Sequence, residues 1–174
     1  MTCSEIVTLI INGVVAVSAA FGATAAWLGV NTWRKQLVGK SEYELARRLL
    51  KSAFEIERLI RRIRLIARIE SDAELLSKLD EVGTECDVAF LEGRVLWGED
   101  FFSLKKPLVD CVKRLRLSIR VIDGIRAGKV PKVRANEHEP IAHGVAENNT
   151  DVFFQEVRSA VEPLEEYLKK YLRH

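Results

Sequence analysis

Residues 6–30, IVTLIINGVVAVSAAFGATAAWLGV, contain no charged side chain. A bilayer hydrocarbon core about 30 Å thick is crossed by about 20 apolar residues at helical rise. The run therefore predicts one transmembrane helix with room to tilt. Beyond it the apolar positions recur at helical spacing. Leu45, Leu49, Ser52, Ile56, Leu59, Ile63 and Ile66 step alternately by four and three, with Ile60 and Ala67 alongside. That is the stripe of a bundle helix. Gly39 reads as a break before it, and Ser41 with Glu44 three residues later reads as a capping box. The first bundle helix is thus expected over about 41–69.

The same arithmetic recurs twice more. Leu75, Leu79, Val82, Cys86, Ala89, Gly93 and Leu96 predict a helix over 73–97, ended by Gly98, Glu99 and Asp100. Ala89 and Gly93 are small enough to admit a close neighbour. Leu104, Leu108, Cys111, Leu115, Ser118, Ile122 and Ile125 predict a helix over 104–127. Ser103 is its expected N-cap, Pro107 fits only its first turn, and Gly128 is its C′ residue. Residues 129–150 have no period, two prolines and a polar run at 147–150, and read as a loop of the length often given to function or disorder. Phe153, Val157, Ala160, Leu164, Leu168 and Tyr171 predict a last helix over 151–172, which Pro163 should kink or restart. No strand-like alternation interrupts the pattern. The expected fold is all-α: residues 1–33 are a short external N-terminus and a single transmembrane helix, and residues 34–174 are a cytoplasmic antiparallel bundle of about four helices.

Two other readings of the apolar run are weaker. As a buried core helix of a soluble bundle it would carry Gly13, Gly22 and Gly29, which are commoner in membrane helices than in soluble ones. Its polar members are Thr8, Asn12, Ser18 and Thr24. As a cleaved signal it lacks a preceding basic residue and exceeds the usual apolar length. Cys3 also precedes the run, where a lipoprotein cleavage site would not lie.

Charge gives orientation. The formal net charge of +2 hides 11 Lys/Arg against 4 Asp/Glu over residues 34–68 and 16 against 20 thereafter. Dense cations after the span and only Glu5 before it place the amino terminus outside by the positive-inside rule. Trp27 and Trp33 sit where indole rings favour the headgroup level. Arg34, Lys35, Lys40, Arg47, Arg48 and Lys51 are the candidate contacts to anionic lipid headgroups, each contributing about 1 kcal/mol near the surface. Arg58, Arg61 and Arg68 continue that basic face and are expected to pair with the acidic helices. Nucleic acid is not an expected partner. Cys86 and Cys111 fall on apolar stripes, as small buried thiols of a reducing compartment do.

Catalytic chemistry is not legible. His138 and His143 are five residues apart with Pro140 between them, whereas two ligands on one helix face need a spacing of four. His174 stands apart. There is no phosphate-binding glycine loop, nucleophile elbow or Cys/His metal pattern, so no catalytic, metal or cofactor site is assigned. Small residues four apart, Ser18, Gly22 and Ala26, with Ala19 and Ala23 beside them, would let two membrane helices approach closely. Asn12 would seek a polar partner across such an interface. These four, Asn12, Ser18, Gly22 and Ala26, are the candidate self-association residues.

The layout, a short small-residue-rich N-terminal span followed by a basic cytoplasmic helix and a bundle, resembles membrane effectors of bacterial anti-phage systems, including some encoded beside retrons. The resemblance covers the arrangement of the chain and carries no functional residue across. It implies a membrane-perturbing, depolarising effector that acts when its span oligomerises. The residues themselves point first to a membrane-tethered module whose bundle, or whose 129–150 segment, binds or senses an unidentified cytoplasmic protein.

Overall fold

The computed structural model describes residues 3–66, 73–144 and 151–172, with side chains at 3–12, 14 and 35 outside the description. Asn12 and Lys35 therefore lie outside the described side chains, and Ala67, Arg68, His174 and the 147–150 run lie outside the described residues. The chain is helical: α1 (Cys3–Ile66), α2 (Ala73–Ser103), α3 (Lys105–Arg126), a 3-10 turn at Lys132–Arg134, α4 (Ala135–Ala142) and α5 (Val152–Leu172). It divides into two compact units, Met1–Ser41 and Glu42–His174.

In the second unit the stripes meet as expected. Leu45, Leu49, Ser52, Ile56, Leu59 and Ile63 are buried, as are Leu75, Leu79, Cys86, Ala89 and Gly93. Leu108, Cys111, Leu115, Ser118 and Ile122 join them from α3, and Phe153, Val157, Ala160, Leu164 and Leu168 from α5. Burying each large apolar side chain gains about 1.5–3 kcal/mol. Side-chain pairs give the directions. Arg48 of α1 pairs with Glu92 of α2, while Ile56 and Leu79 line one small cavity. Lys105 meets Asp87 at 3.1 Å and Arg116 meets Asp80, so α2 and α3 are also antiparallel. Arg114 of α3 pairs with Glu156 near the start of α5, whose later Tyr167 lies 5.2 Å from Phe101. α1, α2, α3 and α5 form an antiparallel four-helix bundle.

Several local expectations are corrected. Gly39 does not break the helix and Ser41 does not cap one, because α1 is continuous through both. One glycine costs about 1 kcal/mol in a helix, and with no proline nearby each further residue still adds a backbone hydrogen bond. Gly98 does break α2, with φ 85° and ψ −173°, and the chain resumes helix to Ser103. This turn leaves Leu96 exposed and brings Trp97 and Phe101 inward, their ring centroids 4.7 Å apart. The space over Gly93 is filled by the Phe101 ring rather than by another helix backbone. Ser103 is not the N-cap of α3: its hydroxyl donates to the Asp100 carbonyl at 2.6 Å, and Leu104 occupies the cap with helical dihedrals.

Gly128 closes α3 as its C′ residue with φ 70°. Its N–H donates to the Ile125 carbonyl at 3.0 Å and that of Lys129 to the Gly124 carbonyl at 2.8 Å. These two bonds are the Schellman pattern. The 129–150 segment holds α4, with Pro140 inside it. Only Ala142 of α4 is buried, too little apolar surface to leave a period in the sequence, and tertiary contacts hold the helix in place of one. α5 likewise runs through Pro163 without restarting.

Candidate functional site

Three features carry the chemistry. The first is the apolar part of α1. Every described side chain over residues 13–40 is exposed, including Val15 (61%), Phe21 (73%) and Trp27 (66%). The core helix of a soluble bundle would be mostly buried. Among the described residues one helix is long and apolar enough to cross a membrane, and none of its apolar window is buried by the chain. Thr24 and Thr32 return their hydroxyls to the carbonyls of Ala20 (2.8 Å) and Leu28 (2.9 Å), satisfying both donors within the helix. Ser18, Gly22 and Ala26 share the exposed run, and a Cβ added at Gly22 would meet nothing within 4 Å.

The second is the basic face. Arg34 and Lys40 belong to the first unit, Arg47, Arg48 and Lys51 to the second, and all five are exposed. Arg48 is paired with Glu92. Lys51 lines a groove of about 920 Å³ between α1 and α2 together with Glu55, Glu81 and Glu85. Arg58 bonds Glu55 at 2.6 Å and holds that carboxyl below its usual range. Arg61 stacks over the Phe154 ring at 4.5 Å.

The third feature lay outside the sequence reading. Arg64 is 1% exposed. Its Nε donates to the Ile141 carbonyl and its Nη2 to the Pro140 carbonyl, both at 2.8 Å, which satisfies the C-terminal end of α4. Nη2 also donates to Asp151 Oδ1 at 3.0 Å, and Nη1 lies 2.8 Å from Asp151 Oδ2. Asp151 in turn caps α5, its Oδ1 accepting from the Phe154 N–H at 3.0 Å. One guanidinium thus ties the end of α1, the end of α4 and the start of α5. A Cβ at Gly144 would fall on the Arg64 and Asp151 side chains. A signal did exist: Ala46, Ala53 and Ile60, spaced by seven, are buried, and Arg64 is one turn beyond on that face.

His138 Nδ1 is 3.1 Å from the Ser118 hydroxyl, and among the described residues no three His, Cys, Asp or Glu side chains gather as a metal site would need. Cys86 is buried, and its thiol is pushed up to about 12 by that burial. Burial raises Cys111 as well. Protonated thiols are poor nucleophiles and poor ligands. No protein family, curated protein sequence or solved structure matches this chain.

Proposed function

We propose that this is a single-pass membrane protein, amino terminus outside, whose cytoplasmic helical bundle binds and regulates rather than catalyses. The observation that carries the reading is the exposure of an uncharged helix over residues 13–30. Transferring the six of its large apolar side chains that are described (Val15, Val17, Phe21, Trp27, Leu28 and Val30) from water to lipid is favourable by on the order of 10 kcal/mol. Arg34, Lys40 and Arg47 are assigned to anionic headgroups, with Lys35 beside them in sequence. Arg48 and Lys51, which continue the same basic face in sequence, already stand among carboxylates. The partner of the bundle is a cytoplasmic protein.

A second reading follows from the exposed Ser18, Gly22 and Ala26. In it the span self-associates, with Asn12 in the interface, and perturbs the membrane as the layout of anti-phage effectors implies. One experiment separates the two. The chain is induced in a bacterium, membrane potential and growth are followed, and membranes are extracted with alkaline carbonate. Retention in extracted membranes at normal potential fits the tether. Depolarisation that Gly22→Leu abolishes fits the effector, because a Cβ at that position meets nothing within 4 Å in its own chain. Release by carbonate sinks both.

A further inference from the structure

We propose that the outer face of α1 and α2 within the second unit is a homodimer interface whose occupant is a second copy of the same face. This inference holds whether or not residues 6–30 cross a membrane. Most of the exposed large apolar side chains described in this unit lie there, at Tyr43, Phe54 and Leu65 of α1 and Val88, Leu91 and Val95 of α2, with Leu96 beside them, whereas α3 exposes only Leu117, the 3-10 turn Val133 and α5 only Val152. Thr84, Val88, Leu91 and Val95 step by four, three and four along the side of α2 opposite its buried stripe. That is a second heptad-like seam, and all four of its side chains are exposed among the described residues.

Charge selects the occupant. Over residues 42–66, α1 carries seven Lys/Arg against four Asp/Glu, and over residues 73–97, α2 carries six Asp/Glu against two Lys/Arg. Glu81 and Glu85 flank the α2 seam on the groove side, and Lys51 faces the same groove from α1. Arg58 is exposed two turns further along α1. A two-fold axis parallel to the helices and centred on the groove sets each α1 against the other copy's α2. Each such pair is antiparallel, as α1 and α2 already are within one chain. The basic helix then meets the acidic helix twice, and both chains enter their bundles at the same end. The face is self-complementary in the sense an isologous dimer requires, and opposed potentials fix its register.

The test uses two differently tagged full-length chains, both Cys3→Ser, one Phe54→Cys and the other Val88→Cys, coexpressed and treated with a short bis-maleimide. Cys86 and Cys111 are buried and stay unlabelled. A covalent heterodimer is expected. Glu81→Lys with Glu85→Lys on the Val88→Cys chain should lower its yield at least tenfold. Adding Lys51→Glu and Arg58→Glu to the Phe54→Cys chain should restore it to within twofold, because all four positions are exposed and both interfaces are then attractive. Absence of the heterodimer, indifference to the Glu→Lys changes, or failure of the reciprocal change to rescue would each overturn the proposal. Gly22→Leu in both chains should leave the yield unchanged, which separates this interface from self-association of the span.

Discussion

Replacing Arg64 with methionine keeps an unbranched apolar stem and removes the charge and every donor. The Asp151 carboxylate, 10% exposed, would then lose its cation, and the Pro140 and Ile141 carbonyls would lose their donors. Removing one partner of a buried ion pair costs about 3–5 kcal/mol, because the other charge stays buried without compensation. A unit of this size is stable by about 5–15 kcal/mol, so the loss is a large fraction of the whole. In thermal terms it is about 10–20 °C. Pulse proteolysis in urea, which reads the opening of the bundle on the full chain, measures it directly. Arg64→Lys should recover less than half, since an ammonium cannot reach the two carbonyls and both carboxylate oxygens together. Arg64→Met with Asp151→Asn should be less destabilising than the sum of the singles by about 1–3 kcal/mol, as expected of groups in contact. A cost below about 1 kcal/mol for Arg64→Met, or additivity in the double variant, would refute the claim that this pair fastens α4 and α5 to α1.

Gly93→Ala should destabilise by about 1–3 kcal/mol, because its methyl group would strike the Phe101 ring. Gly83→Ala in the same helix meets nothing within 4 Å, so urea titration should find it neutral or stabilising by up to about 1 kcal/mol. Gly98→Ala should cost about 1–3 kcal/mol, as a side chain strains at φ 85°. It should also change the fluorescence of Trp97, which the turn places against Phe101. The Cys86 thiol, ordinarily near 9.0, is raised to about 12 by burial. Its stabilisation is therefore complete below the ordinary thiol value and is lost as pH rises toward the raised one, because only the unfolded chain gives up the proton in that window. The advantage of wild type over Cys86→Ala should shrink by about 1.4 kcal/mol per pH unit there; an advantage flat with pH would contradict burial of the thiol.

Residue spacing alone dictates the helical class, the four stripes and the faces they bury, because side chains at a 3.6-residue period must share one side of a helix whatever packs against it. Leu49, Leu79, Leu115 and Leu164 are core positions for that reason. Local sequence also marks Gly128 as a stop, since a left-handed residue after a helix is a local matter. Elements held by distant partners were not legible. α4 exists because the Arg64 guanidinium, 76 and 77 residues away in sequence, accepts the task of satisfying its last carbonyls. The interruption at Gly98 re-aims Trp97 and Phe101, so Trp97 rather than Leu96 joins the apolar cluster. Ser103 fits a cap in sequence, yet the turn after Gly98 feeds almost directly into α3 and leaves it no such work. Gly39 reads as a break, yet nothing beside it competes with continued helix. Arg64 itself looks like one more cation in a basic segment, and only the convergence of three helix ends makes it a buried one. Local spacing fixes which face is apolar; which charge that face can hold depends on what the rest of the chain brings to it.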